Sequence, residues 1–161
     1  QLDRFLLYVR LGYPTESEEE QVLLQTTGTH KAKVNPVLSG EDIIALQGMV
    51  REVSISEGLV RYAAQLVRAT RPETTTVDYV KQWVRWGSGP RAGQALILTA
   101  KARALLHQRY AVTEEDIQAV AFPVLRHRML LNFQAEAEGL DTDQVTEELL
   151  KAVQRPKNVL G

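Results

Sequence analysis

One apolar segment near the start of the chain limits what this sequence can fold into. Residues Leu6 to Leu11 have the composition of a β-strand, follow the tail of a helix in Gln1–Phe5, and are ended by Gly12 and Pro14. A lone strand leaves its backbone donors and acceptors unpaired, and no later segment has the pattern of a convincing sheet. We therefore expect an all-α body that follows a remnant of an α/β domain, with the partner strands in a preceding part of a larger protein.

Helical spacing and capping signals predict helices along the rest of the chain. Thr15 and Glu18 have the spacing of a capping box, and an acidic residue also stands three positions after Ser39 and after Thr113. The predicted helices run from Thr15 to Gln25, onward from Ser39, from Glu57 to Ala69, from Pro90 to Gln108, from Thr113 past Leu125, and from Thr142 to Val153.

Two segments between these helices leave alternatives open. Tyr79–Trp86 suits a short helix, but its aromatic residues also suit a strand. Thr26–Ser39 is a polar connector with glycine and proline and without periodicity. We favour a plain linker for this connector over a loop that faces a partner.

Composition excludes several classes of protein. The 161 residues carry 19 basic and 20 acidic side chains, so the positive charge of a typical nucleic-acid binder is missing. The absence of cysteine excludes disulfides, a cysteine nucleophile and any metal site built on cysteine. No apolar stretch approaches the roughly 20 residues that cross a bilayer, and a cytoplasmic location is the default expectation.

Sequence motifs for catalysis are also missing. Neither the phosphate-binding pattern GxxxxGK[ST] nor the zinc-binding pattern HExxH occurs, and His30, His107 and His127 are far apart in the sequence. No metal site is predicted. We expect this segment to have no catalytic activity by itself.

Two arginines are candidates for binding an anion. Arg91 follows Gly-Pro in the first turn of a predicted helix, where the helix dipole disfavours a cation. A bound anion would reverse this, because free helix N–H groups and a guanidinium together form a phosphate site. The alternative for Arg91 is a solvated side chain, and Arg4 in LDRF carries no signal of its own.

Other notable residues have simpler interpretations. Trp83 and Trp86 could form a stacking platform for bases, although core packing or an anchor for the following turn is favoured. The basic cluster Arg126–Arg128 is interpreted as a solvated helix end.

Several segments, in order and with matching spacing, resemble the C-terminal half of MoxR-type AAA+ ATPases. The resemblance covers essentially the whole chain and is most specific in WGSGPRA followed by VLRHRML. The matching segments are QLDRF, GYP, NPVLSGEDI, LVRATR, VRWGSGPRAGQAL, VTEEDIQAVAFPVLRHRML and NFQAEAEG.

This resemblance implies a domain organisation and a cofactor. Residues 1–38 would be the end of the AAA+ core domain with its connector, and residues 39–161 the helical AAA+ lid domain. The phosphate-binding loop and the magnesium-binding acids would precede Gln1. The parent protein would use ATP and Mg²⁺, while this segment alone is expected to bind neither.

The resemblance also implies roles and partners. Arg4 matches the arginine finger, which acts on the nucleotide of a neighbouring subunit, and Arg91 matches the second sensor of the ATP phosphate. Members of the family form homo-oligomeric rings, expected here as a hexamer, and remodel or mature partner proteins, often with von Willebrand factor A-domain proteins.

Two other classes of function stay open at this stage. A helical protein-interaction module without a nucleotide role is the main alternative. A nucleic-acid-binding module is the other, since short capped helices and the basic cluster at Arg126–Arg128 could mimic a helix-turn-helix, but the near-neutral charge counts against it.

Overall fold

The computed structural model of the protein describes residues 1–29 and 33–155. These residues are predominantly helical, which confirms the predicted mainly α fold class. A 3₁₀ turn at Leu2–Arg4 is followed by α1 (Glu16–Thr26), α2 (Gly40–Glu52), α3 (Glu57–Ala69), α4 (Asp78–Trp83), β1 (Val84–Trp86), α5 (Pro90–Leu106), α6 (Glu114–Leu125), β2 (Leu130–Leu131), α7 (Phe133–Ala137) and α8 (Thr142–Ala152).

Side-chain caps explain where four of these helices begin. Each begins with a capping box. The side chain of the cap residue accepts a hydrogen bond from the backbone N–H of the third helical residue. The side chain of that third residue accepts a hydrogen bond from the backbone N–H of the cap residue. The four caps are Thr15, Ser39, Thr113 and Asp141. The capping boxes recognised in the sequence therefore mark true helix starts.

The core is built around α5, which packs against α6, α3 and α2, while α8 packs against α6, α4 and α3. Small side chains on α5 permit this close approach of helices on several sides. Four of its alanines are buried: Ala92, Ala95, Ala100 and Ala104. Larger residues from the surrounding helices fill the remaining space, including Tyr62, Leu66, Ile117, Leu125 and Leu149.

The ambiguous segment Tyr79–Trp86 contains both a helix and a strand. It forms α4 and then β1, and β1 pairs antiparallel with β2, so that Val84 lies opposite Leu131 and Trp86 opposite Leu130. The two-residue strand β2 is too short for a recognisable alternation in sequence. Strand β1 follows α4 directly and leads into the turn before α5.

The strand expected over Leu6–Leu11 does not form; the segment has no regular secondary structure and no β-ladder. Side chains and backbone of the helical body bind it instead. The Tyr8 N–H donates to the Pro123 carbonyl at 2.8 Å, and Arg126 Nη1 donates to the Tyr8 carbonyl at 2.9 Å. Among the described residues no strand lies beside it, which is why the predicted strand is absent.

The first two helices contribute little to the buried core, although α2 packs against α5. Within the described part of the chain, α1 and α2 bury no residue fully, and Ile43 and Leu46 of α2 are 48% and 41% exposed. Residues 30–32 of the connector, including His30, lie outside the described residues, so the choice between linker and loop stays a prediction. No helix in the described ranges combines the length and apolar character needed to cross a membrane.

Candidate functional site

The turn Gly87–Pro90 sets the start of α5 and therefore the position of Arg91. The backbone N–H of Ser88 donates to Thr70 Oγ1 at 2.8 Å, and Ser88 is buried. A Cβ atom at Gly87 would lie 2.5 Å from the Thr70 carbonyl oxygen. Since real Cβ atoms do not approach backbone so closely, only glycine fits at this contact.

Arg91 lies in the first turn of α5 with much of its side chain in solvent. Gly89 caps the helix and supplies no side-chain acceptor for the first N–H groups, and Pro90 occupies the first turn as expected. The Arg91 side chain is 59% exposed, and its Nη1 lies 3.9 Å from Asp3 Oδ2. The guanidinium is thus available to a ligand, and in the part of the chain that the structure describes it has one weak partner, Asp3.

Arg4 ends the 3₁₀ turn that opens the chain. Its Nη2 donates to Gln1 Oε1 at 3.1 Å, an exposed contact between neighbours in sequence. The 3₁₀ turn packs against α5. This contact brings the beginning of the chain next to the helix that carries Arg91.

Arg4 and Arg91 line one and the same pocket, although they are 87 positions apart in the sequence. The pocket has a volume of about 320 Å³, and Asp3, Gln94 and Arg128 also contribute to its wall. Three arginines and one aspartate make its charge positive, and Gln94 adds an amide. Guanidinium groups at a positive concave surface suit phosphate, which they bind through paired hydrogen bonds.

Arg128 is the pocket residue whose role the sequence interpretation missed. Its side chain is 2% exposed, and its Nε donates to Asp3 Oδ1 at 3.0 Å. Burial lowers the pKa of Arg128 from its usual value, and the hydrogen bond to Asp3 opposes this shift. The interpretation of Arg126–Arg128 as a solvated helix end is therefore wrong for Arg128, because the first residues of the chain cover it.

The two residues before Arg128 also face the N-terminal segment. Arg126 binds Asp143 through two bonds of 2.8 Å. His127 Nε2 lies 3.0 Å from the Phe5 carbonyl, and its buried Nδ1 has no hydrogen-bond partner among the described residues. Burial lowers the pKa of His127, which favours the neutral ring at pH 7. The cluster thus joins the helical body to the N-terminal segment, a role that its sequence did not reveal.

The tryptophans do not form the stacking platform considered from sequence. Trp83 is 7% exposed in the core, while Trp86 on β1 is 65% exposed. Core packing was the favoured interpretation, and it holds for Trp83. Among the described residues no group of three or more histidines or carboxylates is placed to hold a metal ion.

The chain is similar to several known proteins. Residues 78–149 match the family model described as AAA lid domain. The chain is 37% identical over 157 residues to uncharacterized protein YeaC of Bacillus subtilis, covering 97% of this chain and 47% of that protein. It is 34% identical over 158 residues to chaperone MoxR1 of Mycobacterium tuberculosis, covering 98% of this chain and 42% of that protein.

A solved structure agrees with these relatives. The crystal structure of a "putative ATPase" from Cytophaga hutchinsonii superimposes with a TM-score of 0.86 at 34% identity, over 95% of this chain and 47% of that one. The chain spans about half the length of the curated relatives that it matches. The resemblance noted in the sequence is confirmed: the chain belongs to the MoxR-type AAA+ ATPases and carries the AAA lid domain of that family.

Proposed function

We propose that this chain supplies the helical lid and an intersubunit edge of a larger MoxR-type ATPase. In this proposal, residues 1–38 end the nucleotide-binding domain and residues 39–161 form the lid. The complete protein would hydrolyse ATP with Mg²⁺ in a homo-oligomeric ring, as a hexamer, and use the energy to remodel or mature partner proteins in the cytoplasm. Proteins with von Willebrand factor A domains are candidate partners on the basis of family resemblance.

Arg4 acts as the arginine finger in this proposal, and Arg91 acts as the second sensor. The observation that carries both roles is their common pocket. Its donor set fits a phosphate group, with the first-turn N–H groups of α5 nearby and without a side-chain cap. ATP bound there would supply the phosphoryl group, and a guanidinium at that position stabilises the charge that develops as the group is transferred.

The shared pocket also indicates which subunit's nucleotide Arg91 would contact. An arginine finger reaches the nucleotide of a neighbouring subunit. Because Arg91 lines the same pocket as Arg4, we propose that both side chains of one subunit reach the same neighbouring nucleotide. The lid would then sense ATP bound by the adjacent subunit.

Steady-state ATP hydrolysis by the full-length protein tests the finger role. We expect Arg4→Ala to lower kcat by about 10³-fold or more, with ATP binding and assembly unchanged. Arg61→Ala is the matched control, because Arg61 lies on the surface of α3, its side chain is 70% exposed, and within the described ranges it pairs only with Glu57. Turnover of Arg4→Ala equal to that of Arg61→Ala would refute the finger.

A helical interaction module without a nucleotide role is a second candidate. Apolar side chains on the surface of α2 support it, since Ile44 is 70% and Met49 is 47% exposed. This candidate is distinguished by Arg91→Ala, which would leave ATP turnover of the full-length protein intact. Under the ATPase proposal the same variant lowers turnover.

A further inference from the structure

The turn that carries Arg4 has little internal support. It contains three residues, and the Phe5 N–H closes it with a bond to the Leu2 carbonyl at 3.0 Å. Such a short segment is not rigid by itself. A side chain that must meet a transferring phosphoryl group needs a fixed position, so other residues have to hold this turn.

We propose that Arg128, together with Asp3, is the positioning residue that holds Arg4 in place and connects it to the lid. This inference rests on the proposed role of Arg4 as the finger. Neither Arg128 nor Asp3 needs to touch the nucleotide for this purpose. Their action is on the backbone that flanks Arg4.

Arg128 binds the backbone on both sides of Arg4. Its Nη2 donates to the Phe5 carbonyl at 2.6 Å and to the Asp3 carbonyl at 3.3 Å, and its Nη1 donates to the Leu6 carbonyl at 3.2 Å. A guanidinium has five donors in one rigid plane, and here most of them are used on residues next to Arg4. The geometry therefore fixes the turn rather than only neutralising a charge.

Asp3 connects the same arginine to the sensor position. One carboxylate oxygen accepts from Arg128 Nε at 3.0 Å, and the other lies 3.9 Å from Arg91 Nη1. Asp3 precedes Arg4 directly, so a shift of Arg128 displaces the residue next to the finger. The 3.9 Å contact with Arg91 is between largely exposed side chains and adds only a weak link.

Arg128 is itself anchored in the helical body. Its Nη1 donates to the Val124 carbonyl in α6, and its own carbonyl accepts from Ser88 Oγ at 3.3 Å, in the turn before α5. The buried guanidinium would be costly without these partners. The connection from the turn before α5 to the finger is thus continuous through hydrogen bonds.

Kinetics of the full-length protein test this inference. We expect Arg128→Met and Asp3→Asn to lower kcat by between about tenfold and a hundredfold, since small displacements of a reacting group have effects of this size. The KM for ATP should change little, because the finger acts on the transition state. Arg103→Met is the matched control, since Arg103 binds the buried Asp116 outside the pocket and its loss destabilises without reaching Arg4.

Double variants separate positioning from plain structural damage. If Arg128 acts through Arg4, single-turnover rates of Arg4→Ala and of Arg4→Ala with Arg128→Met are the same within error. If the two effects multiply, Arg128 acts independently and the inference is overturned. If Arg128→Met does not assemble, the single-turnover rate of the double variant Arg4→Ala with Asp3→Asn is compared with that of Arg4→Ala in the same way.

The outcomes also separate this inference from the proposed function. Unchanged turnover in Arg4→Ala overturns the finger and the positioning role together. A large loss in Arg4→Ala, combined with normal kcat in both Arg128→Met and Asp3→Asn, leaves the finger in place and overturns only the positioning role. A loss of kcat in Arg103→Met of the same size would likewise overturn it.

Discussion

At the scale of single residues, Gly87 determines whether the turn before α5 can form as observed. Its Cα lies so close to the end of α3 that an added Cβ would be 2.5 Å from the Thr70 carbonyl oxygen and 2.7 Å from the Arg71 Cα. These are backbone atoms, which cannot rotate away as a flexible side chain can. The position of Arg91 therefore depends on a glycine four residues before it.

We expect Gly87→Ala to lower the free energy of unfolding by about 1–3 kcal/mol, which is typical of overpacking. Gly48→Ala is the control, because a Cβ at Gly48 in α2 meets nothing within 4 Å, and alanine in a helix is favoured over glycine by about 0.5–1 kcal/mol. Urea unfolding followed by circular dichroism measures both. A Gly87→Ala chain as stable as wild type would contradict the close contact.

At the scale of elements, a buried carboxylate holds the start of α6 against α5. The side chain of Asp116 is fully buried and accepts hydrogen bonds from Arg103 in α5, from Arg109 and from Thr113. Burial by itself would raise the pKa of Asp116, but the bonds from Arg109, Thr113 and Arg103 outweigh burial and hold that pKa well below its usual range.

We expect Asp116→Asn to cost about 1–3 kcal/mol of unfolding free energy at pH 7, because it removes the negative charge that binds Arg103 and Arg109, whose side chains are partly exposed. Since the pKa of Asp116 is depressed in the folded state, this stabilisation is complete above the unfolded pKa of about 3.9 and is lost as the pH falls below it. The difference between wild type and Asp116→Asn should therefore shrink in acid.

Denaturant unfolding at several pH values measures that difference. Glu115→Gln is the control, since the Glu115 side chain is 81% exposed and lies 3.7 Å from Arg103, and such surface pairs contribute less than about 1 kcal/mol. A difference between wild type and Asp116→Asn that stays constant from neutral to strongly acidic pH would contradict the assignment.

The helices show which elements can be predicted from sequence. Local signals determine them. Helix starts were predicted correctly from the capping boxes at Thr15, Ser39 and Thr113. The bounds of α3 were predicted correctly from the apolar spacing in Glu57–Ala69. The pairing of β1 with β2 was not predicted, because it joins residues about 45 positions apart and has no local signature. Strand character in Leu6–Leu11 gave a wrong prediction, because no strand lies beside it in the described residues.

The residues of the candidate site differ in the same way, because only some of them carry a local signal in the sequence. Arg91 carries a local signal at a helix start, and Arg4 was found through family resemblance. Their common pocket, and the part of Arg128 and Asp3 in it, depend on contacts across more than 85 positions. Only the folded chain reveals such contacts.

At the scale of the whole molecule, the pocket lies where the first residues of the chain meet the helical body. Its wall combines Asp3, Arg4 and Leu6 from the N-terminal segment with Arg91 and Gln94 from α5. A salt bridge of 2.9 Å from Arg10 to Asp141 also fastens that segment to the cap of α8. If Arg4 and Arg91 have the proposed roles of finger and sensor, one subunit would present both to the same nucleotide.

The most direct test of this claim is ATP turnover by mixed rings of the full-length protein, assembled from Arg4→Ala subunits and Arg91→Ala subunits. If both arginines of a subunit serve one neighbouring nucleotide, no site in a mixed ring receives both from the same subunit. We therefore expect mixed rings to be no more active than rings of the more active single variant. If Arg91 instead serves its own subunit's nucleotide while Arg4 serves a neighbour's, some sites in a mixed ring are complete. A clear recovery of turnover on mixing would therefore contradict the proposal that both arginines of a subunit serve one nucleotide.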